Sequence, residues 1–319
     1  MNPLINPTHA FDGTDRDTAP AVVLVSHGSL LCGAGTALRR HADGLGTAWG
    51  DRVAGVWPGF LNYSEPPVEA AIADAAAAGA RRIVVAPYFL VSGKFVKVDV
   101  TARVEAARAA WPGVEFALAQ PLGDDLALAD AVTALVPHAE APARWDDTLD
   151  AAPASCADRP DCPLHGTPRC PATGGGALPA IPRPAPSPRL RDEIPPALLV
   201  VVHGSPRPES NDAVRAVLSR IEPQPALAFM ECNEPSIPDA VDALAAAGAR
   251  RVTVVPYFLH TGNHVADDIP TILRGCLAGH PDLEIGMTPY LGSSPALTDI
   301  LRRRAEAAAP GWFAASMQG

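Results

Sequence analysis

Two apolar runs, AVVLV at Ala21–Val25 and LLVVV at Leu198–Val202, each lead into His-Gly-Ser, the first through one additional serine. Neither alternates apolar with polar residues. A strand covered by helices on both sheet faces reads in this way, whereas a half-exposed strand alternates. After the second run the chain continues with a segment suited to helix and a strand, ALAFM, that ends near Glu234-Pro235. A helix (IPDAVDALAAAGA), a strand (RRVTVVPYFL), a helix beginning near Asp267 and a strand around LEIGMTPYL complete this half. The pattern predicts an α/β fold with a mainly parallel sheet flanked by helices.

The same pattern occurs twice. AAAGARRIVVAPYFL at Ala76–Leu90 matches AAAGARRVTVVPYFL at Ala245–Leu259, an offset of 169 positions. The offset also carries Glu65-Pro66 onto Glu234-Pro235, Trp111-Pro112 onto His280-Pro281 and Leu122-Gly123 onto Leu291-Gly292. Between His-Gly-Ser and the Glu-Pro pair the first half holds seven extra residues. Two tandem copies of one domain are expected, at 21–140 and 197–319, after an N-terminal tail at 1–20. Residues 141–196 are rich in Pro, Ala and Gly, cannot sustain a helix or central strand, and read as a linker.

Within that linker stand Cys156, Cys162, His165 and Cys170. Three thiolates and an imidazole suit a second metal site, with zinc or an iron–sulfur cluster as candidates, although the spacing lacks paired C-x2-C elements. The formal net charge of −10 and the lack of a continuous basic stripe argue against a nucleic-acid partner. No apolar window approaches the ~20 residues of a membrane span, and the N-terminus lacks a signal-peptide pattern, so a cytoplasmic location is expected.

Ligands of a parallel α/β sheet bind beyond the carboxyl ends of its strands. His203 follows LLVVV, His260 and His264 follow VTVVPYFL, and Glu231 and Glu234 follow ALAFM, so all are expected at one sheet edge. Imidazoles there suit cobalt, iron, nickel or zinc, and a carboxylate can accept protons or add a ligand. Gly204 and Ser205 lie in no glycine-rich phosphate loop, so no nucleotide is expected, and Ser205 lies in no G-x-S-x-G. Asp267 and Asp268 read as favourable charges in the first turn of a helix rather than as ligands.

The combination of HGS at His203, ECNEPS at Glu231–Ser236 and PYFLHTGNHVADDIP at Pro256–Pro270 resembles the CbiX/SirB family of class II tetrapyrrole chelatases, in its long two-domain form. The resemblance covers both halves. It implies ATP-independent insertion of a divalent metal, cobalt before iron, into sirohydrochlorin, in cobalamin or siroheme biosynthesis. His203 and His264 would hold the metal and Glu231 would accept pyrrole protons. Ser205, Arg207, Glu234 and His260 are the candidates for contacting substrate. Arg207 is the best placed cation for a polycarboxylate, because Arg250 and Arg251 start a strand and belong at the opposite edge. His260 is a candidate proton shuttle or third ligand, one turn before His264 if that segment is helical. A non-enzymatic metallochaperone or tetrapyrrole-binding protein is the alternative. In the first half His27 persists, but Phe95, Val91 and Asn62 occupy the positions of His264, His260 and Glu231. That half is expected to be a degenerate copy supplying a wall, and the chain a monomer resembling a homodimer fused into one polypeptide.

Overall fold

The structure, a computed structural model, describes residues 19–29, 33–148 and 196–314. It contains two four-stranded parallel sheets. Strands β1 (Ala21–Ser26), β2 (Gly55–Phe60), β3 (Arg82–Pro87) and β4 (Glu115–Leu118) lie in the order β2-β1-β3-β4. Strands β5 (Ala197–Val202), β6 (Ala226–Phe229), β7 (Arg251–Pro256) and β8 (Glu284–Met287) repeat that order as β6-β5-β7-β8. Among the described residues no helix is long and apolar enough to cross a membrane. Cys156, Cys162, His165 and Cys170 lie outside the described residues.

The helices of the first half are α1 (Gly33–Trp49), α2 (Val68–Ala77), α3 (Thr101–Ala110) and α4 (Leu128–Thr133). Those of the second are α5 (Asp212–Leu218), α6 (Ile237–Ala246), α7 (Ile269–Gly279) and α8 (Ala296–Ala308). Helix α6 shows how the sequence starts one: the Ser236 hydroxyl accepts from the Asp239 amide at 3.3 Å, with proline in the first turn. The seven extra residues of the first half fall where α1 runs for 17 residues against 7 in α5.

The unbroken apolar strands follow from three cores. On β5, Leu199 and Val201 enter a cluster on the outer face of the second sheet, while Val200 and Val202 enter a cluster shared by both halves. On β1, Val23 and Val25 face the first half's own outer cluster, and Val22 and Leu24 face the shared one. Alternation persists, but both sides are dry.

The shared core is closed by a crossing that the repeat does not announce. Helix α8 packs on α1, α4, β3 and β4, all in the first half. Buried His41 of α1 ties the halves together: its Nε2 lies 2.9 Å from the Gly292 carbonyl and its Nδ1 2.9 Å from the Thr298 hydroxyl. The Tyr88 hydroxyl donates to the Leu259 carbonyl at 3.1 Å, and the Trp49 indole to Glu306 at 2.9 Å. Burial pushes His41 down to about 4, since an imidazolium there would lose its hydration. The folded state therefore favours neutral His41. Its stability is full above about 6.5 and falls as the pH drops toward 4, because the unfolded chain takes up the proton first. Between pH 7 and pH 5 wild type should lose about 2 kcal/mol more stability than His41→Gln. Urea denaturation of both proteins at the two pH values checks this.

The linker boundary expected at 141 needs correction. Glu140 exchanges backbone hydrogen bonds with Met287 (2.8 and 3.0 Å) at the edge strand β8, and 3-10 turns over Pro142–Thr148 pack on β8 and α7. Trp145 anchors the segment, fully buried in the second half's outer core, with its indole donating to the Glu140 carbonyl at 2.8 Å and Arg274 above its ring. One aromatic residue in an irregular stretch leaves no periodic signal. Trp145→Ala should destabilise the protein by about 3–5 kcal/mol, the usual result of emptying a buried aromatic site. A drop in the urea midpoint checks it.

Candidate metal centre

Strand order reverses about β5, whose neighbours β6 and β7 continue to opposite sides. The crevice between β5 and β7 is therefore the topological switch point, where a parallel sheet opens toward ligands. His203 leaves the end of β5, Glu231 leaves the end of β6, and His264 follows β7 across a loop. One ligand atom from each of the three lies within 4.8 Å of the other two. The two imidazole rings meet edge to face with centroids 4.9 Å apart.

Backbone geometry explains the closeness. Gly204 adopts φ +91°, and a Cβ at that position would lie 2.0 Å from the Glu231 carbonyl oxygen. Only glycine lets the β5 loop approach the β6 loop so closely. The Glu231 amide donates to the His203 carbonyl at 2.9 Å. A strap reinforces the contact: the Asn233 side-chain oxygen accepts from the Ser205 amide at 2.7 Å and from buried Asn211 at 3.0 Å. Cys232, next to Glu231, holds φ +64°, a left-handed conformation that disfavours non-glycine residues and clusters at functional sites.

His264 opens a π-helical turn, His264–Asp268, ahead of α7. The helix thus starts earlier than Asp267, and the wide turn brings Asp268 back onto the imidazole. His264 Nδ1 donates to the Asp268 carboxylate at 2.8 Å. His203 Nδ1 lies 3.1 Å from the Gly204 carbonyl and donates to it as the Nδ1–H tautomer. With both Nδ1 atoms engaged, both Nε2 lone pairs are left for a metal ion. Asp268, which reads in sequence as a helix-turn charge, is thus also bonded to a ring of the cluster. The i,i+4 spacing from His264 to Asp268 was the available signal. Asp268→Ala should weaken Co2+ binding by about 10–100-fold through loss of ring orientation and basicity. Titration followed by the cobalt d–d absorption bands measures it.

The other candidates are placed differently. His260 lies in the loop after β7, lines the adjoining cleft and is not one of the three clustered residues, so a helical turn does not stack it on His264. Glu234 turns its carboxylate to the Ser236 amide at 3.0 Å, at the start of α6. The Ser205 hydroxyl accepts from the Arg207 amide at 3.1 Å, and Arg207 is exposed. Arg251 begins β7 at the far edge beside Glu284, as expected for a strand start.

In the first half the same scaffold carries other groups. His27 Nδ1 lies 3.1 Å from the Gly28 carbonyl, repeating the second half. Its Nε2 meets the Asn62 amide nitrogen at 3.5 Å, and the Phe95 ring packs edge-on at 4.4 Å. A cleft of about 230 Å³ lies between the halves, lined by His27 and Val91 from one and by His203, Tyr257 and His260 from the other.

The family model for CbiX matches residues 21–139 and 197–308, well over half of the chain. The chain belongs to the CbiX family. Among similar proteins, a sirohydrochlorin cobaltochelatase of Methanothermobacter thermautotrophicus is 32% identical over 130 residues, 35% of this chain and 91% of the relative. A sirohydrochlorin cobaltochelatase of Priestia megaterium is 22% identical over 252 residues, 77% of this chain and 67% of the relative. The fold is shared with SirB from Bacillus subtilis, solved with Fe3+, at TM-score 0.62 and 18% identity, covering 91% of this chain and 96% of that one.

Proposed function

We propose that this CbiX-family chain is an enzyme that inserts a divalent metal ion, cobalt before iron, into sirohydrochlorin without a nucleotide. The observation that carries the reading is the convergence of His203, Glu231 and His264 at the switch point of one sheet. The names of the cobaltochelatase relatives and the Fe3+ of the SirB structure agree with it. The second half holds the reacting site. The first, with Asn62 and Phe95 in place of a carboxylate and an imidazole, serves as a wall.

The chemistry needs a metal that is held but can be passed on. Three side-chain donors from three loops leave further positions to water or macrocycle nitrogens, so the ion exchanges partners without a closed cage. Insertion also releases two pyrrole protons. Glu231 is exposed, with a carboxylate oxygen within 4.8 Å of a nitrogen of each histidine, which suits it to accept one of these protons as a pyrrole nitrogen takes its place, the other passing to water. Asp268, bonded to the far nitrogen of His264, keeps that ring in its metal-facing tautomer.

Anaerobic incubation with sirohydrochlorin and Co2+ or Fe2+ tests the proposal. Many turnovers per protein, seen as a change in the macrocycle absorption spectrum, support an enzyme. A change that stops at one equivalent indicates a carrier. Glu231→Gln should slow turnover about 100-fold at saturating metal, within the usual range for a general base, while altering Co2+ affinity less. Normal turnover with weakened metal binding would make Glu231 a ligand only.

A further inference from the structure

The chain contains two lysines among its 25 cationic residues, Lys94 and Lys97, and they flank Phe95. Phe95 occupies the position that holds His264 in the second half. At the positions of the two lysines the second half has Asn263 and Ala266, and its Glu231 and Asp267 face Asn62 and Val98 in the first. At one place in one fold, a carboxylate-rich imidazole site has become a cationic aromatic one. Asp99, the counterpart of Asp268, is retained, and the segment still carries a net positive charge.

This surface is open. Lys94 and Lys97 are exposed, and among the described residues no carboxylate pairs with either. Six large apolar side chains are markedly exposed among the described residues, and four belong to this rim: Tyr63, Val91, Phe95 and Val98. The Phe95 and Tyr63 rings both pack against His27, which lines the inter-half cleft together with His203. The cationic rim and the metal centre thus flank one opening. A cavity of about 230 Å³ is smaller than the roughly 300–1,000 Å³ of pockets that enclose small ligands. A macrocycle too large for it would extend past its mouth, where Val91 lines the cleft and Phe95 packs on His27. In a chain of net charge −10, a polycarboxylate needs local cations there.

We propose that Lys94, Phe95 and Lys97 form a substrate-positioning wall: the lysines take carboxylates of a flat polyanionic macrocycle, and the phenyl ring takes its face, across the cleft from His203 and His264. The inference rests on the tetrapyrrole reading above and adds where the ligand's anionic rim is held. It gives the half without a second imidazole a binding role distinct from metal handling.

The test uses the full-length protein and uroporphyrin, a fluorescent polycarboxylate porphyrin, alongside Co2+ alone. Lys94→Glu/Lys97→Glu should raise the uroporphyrin Kd about tenfold or more and flatten its dependence on salt, since two charge contacts are reversed. Lys94→Gln/Lys97→Gln should fall between this and wild type. Co2+ affinity, read from d–d absorption, should stay unchanged in both. With sirohydrochlorin, KM should rise while kcat at saturation holds. Equal uroporphyrin binding by wild type and both variants would overturn the wall alone. A wild-type protein that binds Co2+ but no uroporphyrin would overturn the wall together with the substrate class beneath it.

Discussion

His264→Ala is expected to lower metal insertion by at least about 100-fold while the protein stays folded. Loss of an outer partner of a metal-binding histidine typically costs 10–100-fold, so loss of the ring itself costs no less. His264 is partly exposed in a turn whose neighbours Val265 and Ala266 carry the packing, so stability should change little. His203→Ala should behave in the same way, because either change leaves one imidazole and Glu231. The contrast that decides the site is His27→Ala, which should cost less than about tenfold. His27 Nε2 already faces the Asn62 amide, and Phe95 stands where a second imidazole would be needed. Steady-state rates of the three variants under anaerobic conditions, with thermal melts to confirm folding, check the prediction. Equal losses from His27→Ala and His203→Ala would mean that both halves react.

Expressed alone, residues 197–319 are expected to aggregate or self-associate instead of giving a soluble, active monomer. Helix α8 makes its packing contacts on α1, α4, β3 and β4, all of which the fragment lacks. Leu297, Ile300 and Leu301 would lose that cover, and each is at most 1% exposed in the whole chain. At about 1.5–3 kcal/mol per buried side chain, the loss approaches the 5–15 kcal/mol that stabilises an entire domain. The fragment also loses Trp145, whose indole fills the second half's outer core. Solubility and sedimentation of the fragment, measured beside its chelation rate, test the expectation. A soluble, monomeric and fully active fragment would show that the first half is dispensable.

Much of the fold could be read from sequence because the repeat doubled every signal. AVVLV and LLVVV mark β1 and β5 as buried on both faces, and the matched PYFL segments locate β3 and β7. The three clustered residues were also legible: parallel strands discharge their loops at one edge, so His203, Glu231 and His264 follow from the ends of three strands. The bond from His264 to Asp268 was not legible, since it is set by the π-helical turn, and an acidic residue near a helix start looks the same with or without it. The His41 link to Gly292 and Thr298, more than 250 residues away, has no local signature. The same holds for the seat of Trp145 beside β8 and for the crossing of α8 onto the first half. Local spacing and apolar pattern determined the elements, their repetition and the donor set, because these depend on neighbours along the chain. Which core each helix covers, how the halves close around one cleft, and which nitrogen of each clustered histidine is held by a hydrogen bond were decided by tertiary packing, because those depend on groups that only folding brings together.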